Sequence, residues 1–436
     1  MDTLATIQKQ FDLLQQAQPV SSLHAIREQA YQAFTQMGIP TSRHEEWKYT
    51  RISGVLNREY HVAPAGMTAS LDLASFRQHA LPGFEEASRL VFVNGLYAPE
   101  LSVIRSQGLS IQPLEDAAAG AQKDLVARHL GHSRHYLQDG INALSTALLQ
   151  GAVFVQVGKG CQLDHPLHVY HITDNRAGAV LAQPRSLFYV AERSYLRVME
   201  HFITLGEPGS FTNQVLEMVV CEGARVEHYK IQLEGPSSNL VSTTHFHQTG
   251  KSFVHTVTLT LGEGLVRNNL NLVMDAEGCE AHLYGLYFQR GEGHVDNHTV
   301  VDNARPNCFS NELYKGVLDG HATGVFNGKI FVRQDAQKTN AYQSNKNILL
   351  SETASVNTKP QLEIFADDVK CSHGCTVGRL DEEGLFYLRS RGISQETAKS
   401  LLLHAFAVDI LEQVQDADLR AFIDQKIEER LEIELI

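Results

Sequence analysis

The chain has 436 residues, 43% hydrophobic and 20% charged, a globular balance that excludes disorder as the default reading. Its formal charge of -13 opposes binding to a phosphate backbone, which needs concentrated Lys and Arg, so no nucleic acid partner is expected. No apolar run reaches membrane-spanning length, and the start MDTLATIQKQFDLLQQ has neither a basic nor an apolar leader segment; the expectation is a soluble, cytoplasmic protein with no membrane contact.

Leu4, Ile7, Phe11 and Leu14 recur at three and four residues, and Leu23, Ile26, Phe34 and Met37 repeat the pattern before Gly38-Ile39-Pro40, which predicts two amphipathic helices and a stop. Leu90 to Val93 reads as a short strand closed by a turn at Asn94-Gly95. From about residue 151 the texture changes to short β-branched and aromatic runs, such as Val153 to Val157, Arg225 to Gln232 and Phe253 to Leu261, divided by Gly-containing turns. Acidic-Gly turns at Glu222-Gly223, Glu263-Gly264, Glu277-Gly278, Glu292-Gly293 and Asp319-Gly320 are 41, 14, 15 and 27 residues apart. Those intervals lie near multiples of a strand-plus-turn unit of about 14, the mark of a coiled β-solenoid, although a sandwich or an open barrel also consists of many short strands. Ser394 can cap a helix from Gln395 to Val414, and Asp418 a second one running to the C-terminus. The first of these is apolar around most of its circumference, as a helix is when buried in its own chain or shared between its own core and a partner.

Familiar catalytic signatures are missing. Thr249-Gly250-Lys251-Ser252 has the end of a phosphate-binding loop, but Phe246 and His245 stand where its leading Gly is needed. Among 21 histidines, His245 with His247 and His294 with His298 share strand faces by even spacing, and such pairs suit a metal only where a third ligand joins them. Six cysteines, at 161, 221, 279, 308, 371 and 375, are too sparse for a disulfide framework and read as reduced thiols. In Lys370-Cys371-Ser372-His373-Gly374-Cys375-Thr376 an extended backbone sends Cys371, His373 and Cys375 to one side, offering two thiols and an imidazole to a transient or shared metal. Gly374 can instead turn the chain and divert Cys375, and a buried Cys beside a hydrogen-bonded His is the plainer alternative.

The stretch from Asn357 to Gly378, NTKPQLEIFADDVKCSHGCTVG, with Phe386-Tyr387-Leu388-Arg389-Ser390-Arg391-Gly392-Ile393 after it, resembles the C-terminal signature of the SufB/SufD family. Glu45-Glu46-Trp47-Lys48-Tyr49-Thr50, Leu90 to Gly95 and Asn142-Ala143-Leu144 extend the resemblance over nearly the whole chain. Lacking a Cys-rich N-terminal motif of the SufB kind, the sequence falls on the SufD side. The resemblance implies a right-handed parallel β-helix core over residues 151–378, a mainly helical N-terminal region over 1–150 and a helical ATPase-docking region over 379–436. It implies a non-catalytic scaffold subunit for iron-sulfur cluster assembly that pairs edge to edge with a SufB-like paralogue and docks a SufC-like ABC ATPase. Residues carried over as partner-binding are Arg391, Gly392, Ile393, Leu402 and Phe406. The metal position falls on His373, with Cys371 its thiol neighbour, while Cys375 stands where the family has Ala. No cofactor is expected to stay bound to the chain alone; iron or an iron-sulfur cluster would be held transiently in the complex. The competing reading is an enzyme on the same solenoid, using paired carboxylates on glycans or the His pairs with a metal. An isolated chain can also pair with itself as a homodimer.

Overall fold

The structure, a computed structural model, describes residues 3–17, 21–56, 58, 60, 71, 73–207 and 209–431. Its centre is a largely parallel β-solenoid in which, from Tyr195–Leu205 to Thr323–Val332, each strand pairs with the one two further along the chain. Arg225, Phe253, Glu280, Phe309, Asn340 and Lys370 are successive partners in one ladder, so a coil takes 27 to 31 residues. Two strand-plus-turn units fill one coil, which accounts for the interval near 14 and selects the solenoid over a sandwich or a barrel. Among the described residues the coils stack into a ten-stranded and an eleven-stranded sheet, called here sheet one and sheet two. Antiparallel ladders lie at the N-terminal end, where Ser88–Val93 meets Leu96–Tyr97 and Leu109–Pro113 meets Val153–Val157. Before residue 150, therefore, the chain already contributes strands to both sheets.

Strand alternation decides what fills the solenoid. At one side of the cross-section the inward residues are apolar: Leu167, Val169, Leu196, Val198, Val226, Val254 and Leu283 of sheet one meet Leu216, Met218, Leu270 and Leu272 of sheet two. Further along the same strands the inward residues turn polar and are paired within the interior. Glu200 accepts from or bonds to His171 (2.9 Å) and His228 (2.8 Å), while the Lys230 ammonium donates to the Ser242 and Thr244 hydroxyls at 2.5 Å. Burial pushes the Glu200 carboxyl up, yet Lys230, His171 and His228 together hold it well below the ordinary value. Large side chains are accommodated by small ones one coil away. Tyr314 stands beside Gly285, and Tyr287 beside Gly316, in register.

Helices cover both outer faces. Thr3–Ala17, His24–Met37 and Gly140–Ala147 pack together through Ile7, Phe11, Phe34, Leu144 and Ala147. Trp47 is buried against the Arg267 guanidinium at 3.9 Å and donates to Asp139. At the other end Glu382–Ser390, Gln395–Leu411 and Ala417–Leu431 follow in succession. Leu403, Ala407, Ile410, Leu419, Ile423 and Ile427 lie on the outward residues Tyr170, Met199, Tyr229, Val257 and Tyr284 of sheet one. Ser394 caps its helix through the Thr397 N–H at 3.1 Å. The last helix starts at Ala417, and its cap is Asp416, accepting from the Leu419 N–H at 2.9 Å, rather than Asp418; its expected continuation past Leu431 lies outside the described residues. Among the described residues no helix is long and apolar enough to cross a membrane. The six cysteines are free thiols.

Candidate functional site

The solenoid ends without a cap on sheet one. Lys370–Gly378 pairs with Asn340–Leu349 on one side and, among the described residues, with no strand on the other. Solvent reaches both of its faces, since eight of its nine residues are exposed and Cys371 alone is half-buried. The Lys370 N–H donates to the Thr339 carbonyl at 2.9 Å. Alternation along the strand then turns the N–H groups of Ser372, Gly374 and Thr376 into the ladder and those of Cys371, His373, Cys375 and Val377 toward the open edge. An edge of this kind, long and unblocked, is a template for another strand.

The register places Cys371 beside Ala341, His373 beside Gln343 and Cys375 beside Asn345, all continuing the inward-facing row of the previous coil. Gly374 is paired with Ser344 and does not turn the chain, so the three candidate ligands share one face. At about 3.3 Å rise per residue, neighbours in that row stand about 6.6 Å apart at Cα and the outer pair about 13 Å apart. One ion can take two adjacent members; the remaining ligands must come from outside this strand. Burial pushes the Cys371 thiol up, so it stays protonated until a cation draws the proton off.

Behind His373 the row runs inward to Gln343 and then Glu312, spaced by one coil each. Gln343 Nε2 donates to Glu312 Oε2 at 2.8 Å, and burial pushes the Glu312 carboxyl up to about 7. Room for the Gln343 amide depends on Gly328, where a Cβ would lie 2.3 Å from Nε2. Local sequence reading missed Gln343 and Glu312. A coil period of about 30 residues, applied backwards from His373, would have found both.

The residues expected to bind a partner lie on the C-terminal helices. Arg391 and Gly392 are exposed, Ile393 and Leu402 half-buried. Gly392 ends its helix at φ 87°, and Arg391 lies over the Tyr387 ring at 5.1 Å. Phe406 is partly committed within the chain, its ring 4.6 Å below the Lys315 ammonium. The larger apolar exposures on these helices are Phe386 at 75% and Tyr387 at 57%, and Leu401 of the next helix is exposed as well.

The two His pairs separate. His294 bonds to Thr50 (2.9 Å) and His298 to Asp296 (2.6 Å) and Asn327 (3.0 Å), so both rings are occupied in the packing of Trp47's neighbours. His245 and His247 are buried on the outer face of sheet two. Among the described residues one group of three, His404, Asp424 and Glu428, brings ligand atoms within 4.8 Å of one another. It joins two surface helices through a 2.6 Å His404–Asp424 bond, which already explains it.

Comparison with known proteins covers almost the whole chain. Residues 4–169 match the family described as SufBD protein N-terminal region, and residues 171–406 match SUF system FeS cluster assembly, SufBD core domain. The chain is 33% identical over 411 residues to the iron-sulfur cluster assembly protein SufD of Escherichia coli, with 93% of this chain and 92% of that one covered. An iron-sulfur cluster assembly SufBD family protein of Synechocystis is 33% identical over 400 residues, covering 89% and 86%. Protein ABCI7, chloroplastic, of Arabidopsis thaliana is 32% identical over 274 residues, covering 61% and 58%.

Proposed function

The chain belongs to the SufBD family and has that family's scaffold role in iron-sulfur cluster assembly; within that role we propose that it holds a nascent cluster jointly with a second subunit. The observation that carries this reading is the open edge strand Lys370–Gly378 with Cys371 and His373 on one exposed face. A SufB-like paralogue adds its own edge strand there, main chain to main chain, and supplies the ligands that this row lacks. His373 enters as a neutral nitrogen donor and Cys371 as a thiolate once the cation has taken its proton's place. Iron and sulfide are cargo in this scheme, released onward and not kept by the isolated chain.

A SufC-like ABC ATPase docks on the C-terminal region 379–436, where Phe386 and Tyr387 are free to be covered and Arg391, Gly392, Ile393 and Leu402 border them. Residues 151–378 carry the pairing core, with 1–150 packed on its other end. This scheme places the assembly in the cytoplasm.

Reciprocal variants test the two surfaces. Val377→Pro removes an N–H that faces the open edge and leaves the ladder to Asn340–Leu349 intact. In sedimentation velocity that variant should lose the SufB-like subunit and keep the SufC-like one. Phe386→Asp, at a side chain 75% exposed, should do the reverse. Undiminished association of either variant with both subunits would remove the surface concerned from the scheme.

A further inference from the structure

His245 and His247 gain companions that their sequence neighbourhood does not supply. The helix Lys123–His129 and the turn His132–His135 lie on the outer face of sheet two and bring three more imidazoles to the pair. His132 Nδ1 is 2.8 Å from His245 Nε2, and the His132 ring stacks on that of His247 with centroids 4.2 Å apart. His129 and His135 flank them, with centroids 6.1 Å from His247 and 5.2 Å from His132 respectively.

This arrangement is held from below. Glu217, beside His245 in the ladder, accepts from the Gly131 and Ser133 N–H groups and from Arg185, each at 2.8 Å. The turn that delivers His132 is thereby pinned by a buried carboxylate. Against so much fixed geometry, several nitrogens lack a hydrogen-bond partner: Nδ1 of His245, Nδ1 of His247, and Nδ2 of Asn271, the next residue across the sheet from His245. His247 is buried as well, where a nitrogen without a partner is costly. Asp275 Oδ2 stands 3.5 Å from His247 Nε2 at the solvent side, also holding Arg305 at 3.1 Å. His132 is half-buried and His135 exposed, which leaves an entry path.

We propose that His132, His245 and His247, with Asp275 as the fourth donor, bind a divalent first-row transition-metal ion such as Zn²⁺ or Fe²⁺. Imidazole suits these ions, and tetrahedral sites place nitrogens about 2.0–2.1 Å from the metal, so the His132–His245 contact opens by about half an ångström. The nitrogens of the three imidazoles do not all lie within 4.8 Å of one another, so His247 turns out of its stack with His132 to aim a lone pair at the ion, and its 3.5 Å contact with Asp275 becomes shared coordination. The site is separate from the terminal strand. Between Ser238–Gln248 and the last strands of sheet two lie four strand spacings, roughly 19 Å.

Co²⁺ titration of the purified full-length chain, followed by its visible d–d absorption, reads the site directly. One saturable equivalent per chain with tetrahedral intensity is expected, displaced by Zn²⁺. His132→Gln and Asp275→Asn, both on the solvent side, should each weaken it at least about tenfold with the far-UV circular dichroism unchanged. His321→Gln, at an exposed turn, and His373→Ala should leave it as it is, which separates this site from the cluster reading. Absence of a one-equivalent step, or a step that survives both His132→Gln and Asp275→Asn, would overturn the proposal.

Discussion

A carboxyl group sealed inside a protein ionises only at a cost, and Glu312 is such a group, 1% exposed and pushed up to about 7 by burial. In the open chain it would titrate near its ordinary 4.5. Below 4.5 both states are protonated and the fold bears no penalty. Between 4.5 and 7 the fold keeps a proton that the open chain has released, so stability falls as pH rises through this window. Above 7 the penalty is complete, on the order of 3 kcal/mol. Replacing Glu312 by Gln keeps an acceptor for Gln343 and removes the titration. Urea midpoints measured at pH 5 and pH 8 should therefore fall less for Glu312→Gln than for the native chain, and identical slopes would show that Glu312 is already ionised in the fold. His373 and Cys371 were legible in the sequence because their chemistry is packed into one short segment. Gln343 and Glu312 were not, because the row they form is assembled from three coils, and nothing local marks either residue as its neighbour.

Single elements differ in how plainly their residues announce them. Thr3–Ala17 and His24–Met37 bury one stripe and follow from periodicity. Glu382–Ser390 escaped that reading because it is only nine residues long and its inward side chains, Leu385 and Leu388, are just half-buried. Its exposure is what makes it the candidate surface in the proposed scheme. Gln395–Leu411 is apolar nearly all round since its inner face meets sheet one and its flanks meet the two other helices. For the strands, the inward Gly residues are as informative as the large ones. A Cβ at Gly285 would lie 2.2 Å from the Tyr314 ring, which is itself locked in the interior. Gly285→Ala should lower stability by about 1–3 kcal/mol in chemical denaturation, the usual cost of overpacking. A midpoint unchanged from the native chain would mean that the Tyr314 ring moves freely and that the interlocking of adjacent coils is loose.

At the scale of the whole molecule, the design is asymmetric. The N-terminal end of the solenoid closes with antiparallel strands and is covered by helices, whereas the C-terminal end of sheet one stops at an exposed nine-residue strand. The repeat of acidic-Gly turns made a solenoid readable in outline, but the coil of 27 to 31 residues, rather than 14, emerges only once strand pairing is known. In the proposed scheme, ligand geometry gives this asymmetry a use. Three candidate donors in a row, about 13 Å from first to last at Cα, cannot close around one ion, and a row completed by a second subunit can. The most direct measurement is iron and acid-labile sulfide per complex after anaerobic co-purification with the SufB-like and SufC-like subunits, native chain against His373→Ala. The account predicts that both complexes assemble and that the His373→Ala complex loses most of its iron and sulfide; equal loads in the two would contradict it and return His373 to a purely structural place on the strand.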